Sequence, residues 1–163
     1  MITLVLGGAR SGKSTVAERL VGRLAPPVTY VATMVVSDDA ELAARIRAHQ
    51  LRRPPEWRTV EAGLTLPAAV AATTGTILVD SLGPWVALGP TPELTTALCA
   101  ALTSRTGDSV VVTEEVGMGV HPSSAEGRAF RDALGLLNHA VAAVADEAFV
   151  VIAGRTLRLN DDA

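Results

Sequence analysis

Short apolar runs alternate along this chain with segments whose apolar residues recur every three or four positions. Runs of the first kind are typical of strands buried on both faces, and the second spacing is typical of helices that pack one side against a core. The apolar runs predict strands over residues 2–6, 28–32, 76–80, 109–113 and 148–152, and two further short strands are expected over 58–61 and 156–159. The periodic segments predict helices over residues 14–24, 38–52, 66–72, 93–104 and 127–144.

This alternation predicts an α/β fold with a mainly parallel central sheet and helices on both of its faces. The length of 163 residues fits a single domain that spans 1–163. Two stretches rich in glycine, proline or serine, 83–92 and 117–124, are predicted to be loops. Ligands of parallel sheets bind beyond the carboxyl ends of the strands, so we expect the functional site at that edge.

The clearest chemical signal follows the first predicted strand, where residues 7–14 match the pattern G-x-x-x-x-G-K-[ST] of a phosphate-binding loop. The glycines let backbone amides wrap around an anion, and the start of the following helix favours negative charge. A chance glycine-rich turn is the alternative, but the strand before the loop and the helix after it are the context that the motif requires. The sequence therefore predicts a P-loop NTPase-like fold that binds a purine nucleoside triphosphate through Gly7, Gly8, Ala9, Arg10, Ser11, Gly12, Lys13 and Ser14.

Composition draws attention to one lysine and argues against two classes of protein, nucleic-acid binders and membrane proteins. The chain has 14 basic residues, and Lys13 is the single lysine. Lysine is a compact point charge on a flexible stem, so its use at this one position favours a role of its own on the β and γ phosphates. The net charge of −3 argues against nucleic acid as a partner, and no apolar run is long enough for a membrane span. With one cysteine, Cys99, we expect a cytoplasmic protein.

A carboxylate that could hold a metal ion closes the strand predicted over 76–80. Asp80 would lie near the loop at the carboxyl edge of the sheet, where it could bind Mg²⁺ together with the Ser14 hydroxyl. The alternative is that Asp80 caps the turn that follows it. Glu114 and Glu115 follow another strand and compete for the same metal role.

His49 is a candidate nucleophile on the helix predicted over 38–52. It follows Leu42 by seven residues and Ile46 by three, so it is predicted to face the body of the protein. A neutral imidazole among cations can attack phosphorus, because positive neighbours disfavour its protonation and neutralise phosphate oxygens. The alternative is a packed or C-capping histidine among solvated arginines. The cations nearby on the chain are Arg45, Arg52 and Arg53, and the weaker histidine candidates are His121 and His139.

Five segments together resemble one enzyme family. They are the loop at 7–14, Tyr-Val-Ala-Thr at 30–33, Arg-Ile-x-x-His at 45–49 followed by Arg53-Pro54, Trp-Arg-Thr at 57–59 with Glu61, and Glu-Val-Gly-Met-Gly at 115–119. They follow the family's order over nearly the whole chain. In this pattern the chain resembles the bifunctional adenosylcobinamide kinase / adenosylcobinamide-phosphate guanylyltransferases of cobalamin biosynthesis.

The resemblance implies two reactions. The first phosphorylates the aminopropanol hydroxyl of adenosylcobinamide from ATP or GTP, and the second transfers GMP from GTP to that phosphate through a guanylylated histidine. Lys13 and His49 would be the catalytic residues, Mg²⁺ the cofactor, and a corrinoid the small-molecule partner of a homo-oligomer, expected to be a trimer. The nucleotide contacts that the resemblance adds to the loop are Ala32, Thr33, Met34, Gln50, Leu51, Arg52, Arg53, Glu61 and Asp80.

The chain departs from the family pattern at two places. Residues 81–85, Ser-Leu-Gly-Pro-Trp, are expected to break the helix that follows the acid in the family. Leu136, His139 and Ala140 occupy positions around Asn138 where Arg, Gln and Arg are expected.

Two other functions are compatible with a phosphate loop. One is a single-step small-molecule kinase in which His49 is structural. The other is a nucleotide-binding switch or an ATPase subunit, which would more often carry segments that the γ-phosphate orders, and no such segment is recognisable here. A requirement of nucleotide turnover for a corrinoid acceptor would separate transfer chemistry from these switch and ATPase functions.

Overall fold

The computed structural model describes residues 1–34, 47 and 53–159. Among these residues, no helix is long and apolar enough to cross a membrane. The strands are β1 (Ile2–Gly7), β2 (Val28–Ala32), β3 (Arg58–Glu61), β4 (Thr76–Asp80), β5 (Ser109–Glu114), β6 (Glu147–Ile152) and β7 (Arg155–Leu159). The α-helices of the described residues are α1 (Lys13–Val21), α2 (Leu66–Ala72), α3 (Leu82–Ala87), α4 (Pro92–Ser104) and α5 (Ala125–Ala142), and a 3₁₀ turn (Gly63–Thr65) precedes α2.

The strands form one seven-stranded sheet in the order β3-β2-β4-β5-β1-β6-β7. All neighbouring strands are parallel except β6 and β7. These two form an antiparallel hairpin, and β7 is the last strand on that side of the sheet. The central strands are almost entirely buried, as expected for apolar runs covered on both faces. The carboxyl ends of β1, β4 and β5 therefore meet at one edge of the sheet, which is where the predicted phosphate loop and Asp80 are found.

Two apolar cores, one on each face of the sheet, confirm the predicted layering. On one face α1 packs through Val16, Ala17 and Val21 against strand residues that include Val5 and Leu78. The other core is larger, and the remaining helices contribute to it. Its members from α2, α3, α4 and α5 include Leu66, Val70, Leu82, Trp85, Leu98, Leu102, Leu134, Leu137 and Val141.

The segment after β4 was predicted to be irregular and is partly helical. Residues 81–85 were expected to break a helix and 83–92 to form a loop, but α3 occupies Leu82–Ala87. Pro84 lies in the first turn of α3, where backbone N–H groups have no partner within the helix, so proline is tolerated there. The apolar side chains of Leu82 and Trp85 are fully buried and anchor this short helix. The loop predicted over 117–124 is present without helix or strand.

The other predicted elements of the described residues are found with small shifts of their ends. The helix predicted over 127–144 begins earlier, because Ser124 caps it and accepts a hydrogen bond from Gly127 N at 3.0 Å. The helix predicted over 38–52 lies outside the described residues except at Arg47, which is helical.

Candidate active site

The segment 8–12 connects the end of β1 to the start of α1, as a phosphate loop requires. Gly12 precedes α1 with a φ of +92°, a left-handed backbone conformation that residues other than glycine rarely adopt. Its carbonyl accepts the hydrogen bond from Val16 N at 3.0 Å that begins the helix. The geometry explains the glycine of the motif at this position and places the N-terminus of α1 at the carboxyl edge of the sheet.

The turn of the C-terminal hairpin supports this loop from the side. Gly154, between β6 and β7, donates its N–H to the carbonyl of Ser11 at 2.8 Å. A side chain at Gly12 would approach the Gly154 Cα to 3.3 Å, so the two backbones are closely packed. The hairpin therefore holds the loop in the conformation that the phosphate site needs. Sequence reasoning missed this contact, because Ala153-Gly154 is not one of the usual hairpin pairs although both residues have a positive φ, +51° and +75°.

Lys13 lies between its own loop and a carboxylate. Its Nζ donates to the carbonyl of Gly8 at 3.4 Å and lies 3.5 Å from Glu114 Oε1. The side chain is 12% exposed, so the ammonium group is held close to the protein surface and within reach of a bound anion. A positive charge fixed beside a loop of backbone amides is suited to the β and γ phosphates of a nucleotide.

Asp80 lies at the end of β4 and contacts two hydroxyl groups. Its Oδ1 accepts from Ser14 Oγ at 3.3 Å, and its Oδ2 accepts from the Tyr30 hydroxyl at 3.0 Å. A carboxylate and a hydroxyl so close together offer the hard oxygen ligands that Mg²⁺ prefers, with waters and phosphate oxygens to complete its shell. The residues present therefore fit Mg²⁺, and joint metal binding by Ser14 and Asp80 stays a prediction.

Tyr30 is a buried residue of the site that begins the Tyr-Val-Ala-Thr segment at 30–33 but received no role of its own from the sequence. Only 3% of its surface is exposed, and the guanidinium carbon of Arg53 lies 3.2 Å from its ring centroid. Burial, together with the negative charge of Asp80, raises the pKa of the Tyr30 hydroxyl well above its usual value. The phenol therefore remains a hydrogen-bond donor to the carboxylate. Its position two residues before the end of an apolar strand was the available signal.

The two glutamates that competed with Asp80 for the metal role have different surroundings. Glu114 accepts hydrogen bonds from Ser81 Oγ at 2.8 Å and Gly83 N at 2.9 Å, besides its ion pair with Lys13. Glu115 accepts from the N–H groups of residues 117 and 118, at 2.5 and 3.2 Å, so it is turned toward its own loop. Among the described residues, Asp80 is therefore the acid that contacts Ser14.

Residues at the ends of β2 and β3 extend this edge of the sheet. Ala32 is in register with Asp80 on one side and with Glu61 on the other. Thr33 is fully buried, donates to the Ser81 carbonyl at 2.5 Å and accepts from Ser81 N at 3.1 Å, which joins the segments after β2 and β4. Met34 follows and is half-buried. These predicted contacts therefore lie along one continuous edge.

A family model described as cobinamide kinase / cobinamide phosphate guanyltransferase matches residues 3–159. The chain belongs to this family. The comparison confirms the family and the enzyme class that the motifs predicted. The cobinamide kinase / guanyltransferase family is represented by curated relatives that match over the whole of this chain.

Two such relatives are bacterial. The bifunctional adenosylcobalamin biosynthesis protein CobU of Salmonella typhimurium is 40% identical over 183 residues, which cover 98% of this chain and 100% of the relative. The bifunctional adenosylcobalamin biosynthesis protein CobP of Pseudomonas aeruginosa is 36% identical over 172 residues and 99% of each chain.

Two solved structures share the fold. The flagellar accessory protein FlaH of Methanocaldococcus jannaschii is 13% identical, with a TM-score of 0.50 over 95% of this chain and 74% of its own. A type III secretion ATPase is 11% identical, with a TM-score of 0.52 over 91% of this chain and 50% of its own. At these identities the likeness concerns the fold alone, and it confirms the predicted P-loop class.

The structure gathers some of the predicted site residues and does not describe others. The loop, Lys13, Ser14, Asp80 and the ends of β2 and β3 lie at one edge of the sheet. The predicted nucleophile His49, together with Gln50, Leu51 and Arg52, lies outside the described residues. Arg53 is described, and its Nε is buried with no hydrogen-bond partner among the described residues.

Proposed function

We propose that this chain carries out both reactions of its family on a corrinoid. It phosphorylates the aminopropanol hydroxyl of adenosylcobinamide with ATP or GTP, and it then joins GMP from GTP to the new phosphate. The observation that carries the proposal is the contact of Ser14 with Asp80 at 3.3 Å beside Lys13, within a chain that matches the family over nearly its whole length. A loop, a cation and a metal-binding pair at one place are the parts that phosphoryl transfer needs.

In the first reaction the protein binds and positions a triphosphate. The backbone amides of 8–12 and the N-terminus of α1 surround the phosphates, and Lys13 neutralises the β and γ oxygens. Ser14 and Asp80 would hold Mg²⁺, which when bound supplies further positive charge to the phosphate oxygens. Electrostatic stabilisation of this kind is the main contribution that proteins make to phosphoryl transfer.

In the second reaction we assign the nucleophile to His49. An imidazole nitrogen attacks the α-phosphorus of GTP, a nitrogen–phosphorus bond forms, and pyrophosphate leaves. An oxygen of the corrinoid phosphate then attacks the same phosphorus, which breaks that bond and regenerates the imidazole. Arg53 supports this assignment because it follows His49 by four residues and lies over Tyr30, whose hydroxyl contacts Asp80.

The remaining predicted contacts complete the proposal. Gln50, Leu51, Arg52 and Arg53 would contact the guanine nucleotide with Ala32, Thr33, Met34 and Glu61. The Nε of Arg53, which has no hydrogen-bond partner within the described part of the chain, offers a donor to a phosphate oxygen. We further infer a cytoplasmic homo-oligomer, a trimer in particular, and light scattering that shows a strict monomer at working concentration would contradict the oligomer.

The test is a search for a covalent guanylyl-protein. The wild-type chain is incubated with GTP labelled at the α-phosphorus, denatured, and assayed for protein-bound label. We expect label that is lost in mild acid and persists in alkali, as a phosphorus–nitrogen bond behaves. His49→Ala should carry none, while His139→Ala, an exposed histidine on α5, serves as the matched control and should label normally.

The outcomes separate the competing functions. Acid-labile label on His49→Ala would assign the nucleophile to another residue, with His121 the next candidate. Absence of label on a wild-type chain that consumes GTP and phosphorylates the corrinoid would overturn the covalent mechanism and favour a one-step kinase. Nucleotide turnover that is indifferent to the corrinoid would favour a switch or an ATPase subunit.

A further inference from the structure

We propose that Glu114 is the general base of the phosphorylation step and takes the proton from the acceptor hydroxyl. This inference rests on the proposed function, because it concerns the kinase half of the reaction pair. It gives a role to a carboxylate that the site contains and that metal binding by Ser14 and Asp80 does not use.

The position of Glu114 follows from the topology of the sheet. It is the last residue of β5, and it is in register with Gly7 at the start of the phosphate loop. Asn138 fixes this strand end, since its Nδ2 donates to the Glu114 carbonyl at 3.0 Å and its Oδ1 accepts from Thr113 Oγ1 at 2.6 Å. The carboxylate therefore projects from a rigid strand end beside the loop.

Distances place the carboxylate at the right separation from a bound γ-phosphate. Glu114 Oε1 lies 3.5 Å from Lys13 Nζ. An ammonium group contacts a phosphate oxygen at about 2.8 Å, so Oε1 would lie within roughly 6 Å of the γ-phosphate oxygen that Lys13 binds. A hydroxyl that lies to one side of the Lys13 ammonium could therefore be about 3 Å from its base and about 3 Å from the phosphorus. Lys13 also lies between the two negative groups and reduces their repulsion.

The carboxylate is oriented but keeps the capacity to accept a proton. Ser81 Oγ donates to Oε1, which also forms the ion pair with Lys13, and Gly83 N donates to Oε2, so Oε2 has one neutral donor and a further lone pair. Any side chain at position 83 would collide with Oε2, so glycine there is what lets the carboxylate approach the start of α3. The Glu114 side chain is 25% exposed, so a substrate can reach it.

Asp80 and Glu115, the two acids that competed with Glu114 for the metal role, have other contacts. Asp80 accepts from Ser14 and Tyr30, and Glu115 accepts from the backbone of its own loop. Among the residues that the structure describes, Glu114 is the acid paired with Lys13. It is therefore the carboxylate best placed to act on a hydroxyl that approaches the γ-phosphorus.

Phosphorylation forms one bond to the γ-phosphorus and breaks another. The acceptor hydroxyl oxygen forms a bond to the γ-phosphorus, and the bond from that phosphorus to the β–γ bridging oxygen breaks, so ADP leaves. The hydroxyl proton moves to Glu114, which later releases it to solvent. No such proton is present in guanylyl transfer, because both the imidazole and the phosphate acceptor attack without losing one. Glu114 is therefore needed for one reaction of the two.

The experiment measures the two reactions separately. Phosphorylation is assayed with ATP and adenosylcobinamide, and guanylyl transfer with GTP and separately supplied adenosylcobinamide phosphate. Glu114→Gln keeps the shape of the side chain and removes the base. We expect kcat for phosphorylation to fall by roughly 10²–10⁴-fold, with guanylyl transfer within about threefold of wild type. Glu126→Gln, an exposed carboxylate at the start of α5, is the matched control and should change neither reaction.

A conservative variant gives a second readout. Should Glu114→Gln fail to fold, Glu114→Asp keeps a carboxylate and should retain phosphorylation at a reduced rate. Equal losses in both reactions would mean that Glu114 only positions Lys13, and full phosphorylation by the variant would mean that it has no role; either result overturns the proposal. A wild-type chain that phosphorylates no corrinoid would instead contradict the proposed function.

Discussion

The hydrogen bond from Tyr30 to Asp80 leads to a stability prediction that can be checked without substrate. Tyr30→Phe removes the donor of a 3.0 Å bond to a carboxylate and keeps the ring beneath Arg53, so the change isolates the hydroxyl group. Hydrogen bonds to charged groups contribute about 1.5–3 kcal/mol to stability. For a chain of this size each kcal/mol corresponds to about 2–4 °C in Tm, so we expect a loss of roughly 3–12 °C.

The size of this loss should depend on pH in a defined direction. Burial and the charge of Asp80 raise the pKa of Tyr30 in the folded protein, whereas the unfolded chain titrates near the usual value of about 10. Above that pH the unfolded state loses its proton first, so the folded state is destabilised by up to about 1.4 kcal/mol per pH unit. The phenylalanine variant has no proton to lose at this position. The free energy of unfolding of wild type therefore exceeds that of Tyr30→Phe by a constant amount below about pH 10, and this excess decreases above that pH.

The assay is urea denaturation of both proteins over this pH range, combined with tyrosinate absorbance. Tyr30 is the only tyrosine of the chain, so the absorbance reports on one group. We expect tyrosinate to appear together with unfolding and not before it. Tyrosinate in the folded protein near pH 10, or a stability difference that stays constant as the pH rises, would refute the reasoning.

Three further substitutions test the site. Lys13→Ala should reduce both reactions by at least about 10²-fold, since both use the loop-bound triphosphate, and steady-state assays with near-normal rates would contradict the phosphate-loop interpretation. Asp80→Asn should raise the Mg²⁺ concentration needed for half-maximal activity, measured by metal titration; an unchanged requirement would remove Asp80 from the metal site. Gly83→Ala should destabilise the fold by about 1–3 kcal/mol in urea denaturation, because its Cβ collides with the Glu114 carboxylate, and a neutral change would show that the carboxylate can move aside.

Much of the fold was predictable because local signals and burial agree. Continuous apolar runs identified the inner strands of the sheet, and the pattern of 7–14 identified the loop together with the strand and helix that flank it. The exception was α3, where glycine and proline favoured a loop. Burial of Leu82 and Trp85 outweighed that local preference, and the first-turn position of Pro84 removed its cost.

The contacts within the site were less predictable because they depend on strand order. The sequence placed Asp80 and Glu114 at the ends of two different strands. It could not show that β5 lies between β4 and β1 in the sheet. That order puts Glu114 beside Lys13 and Asp80 beside Ser14, which separates two acids that the sequence had left as competitors. Tyr30 and Gly154 were missed for the same reason, since each acts on a segment far away in the chain.

The central claim is that one chain performs two successive transfers on a corrinoid. The most direct test incubates the purified protein with adenosylcobinamide, GTP and Mg²⁺, and follows the corrinoid by mass spectrometry. The account predicts that adenosylcobinamide phosphate appears first and is then converted to a corrinoid that carries GMP on that phosphate. Accumulation of the phosphate alone, or hydrolysis of GTP with the corrinoid unchanged, would contradict it.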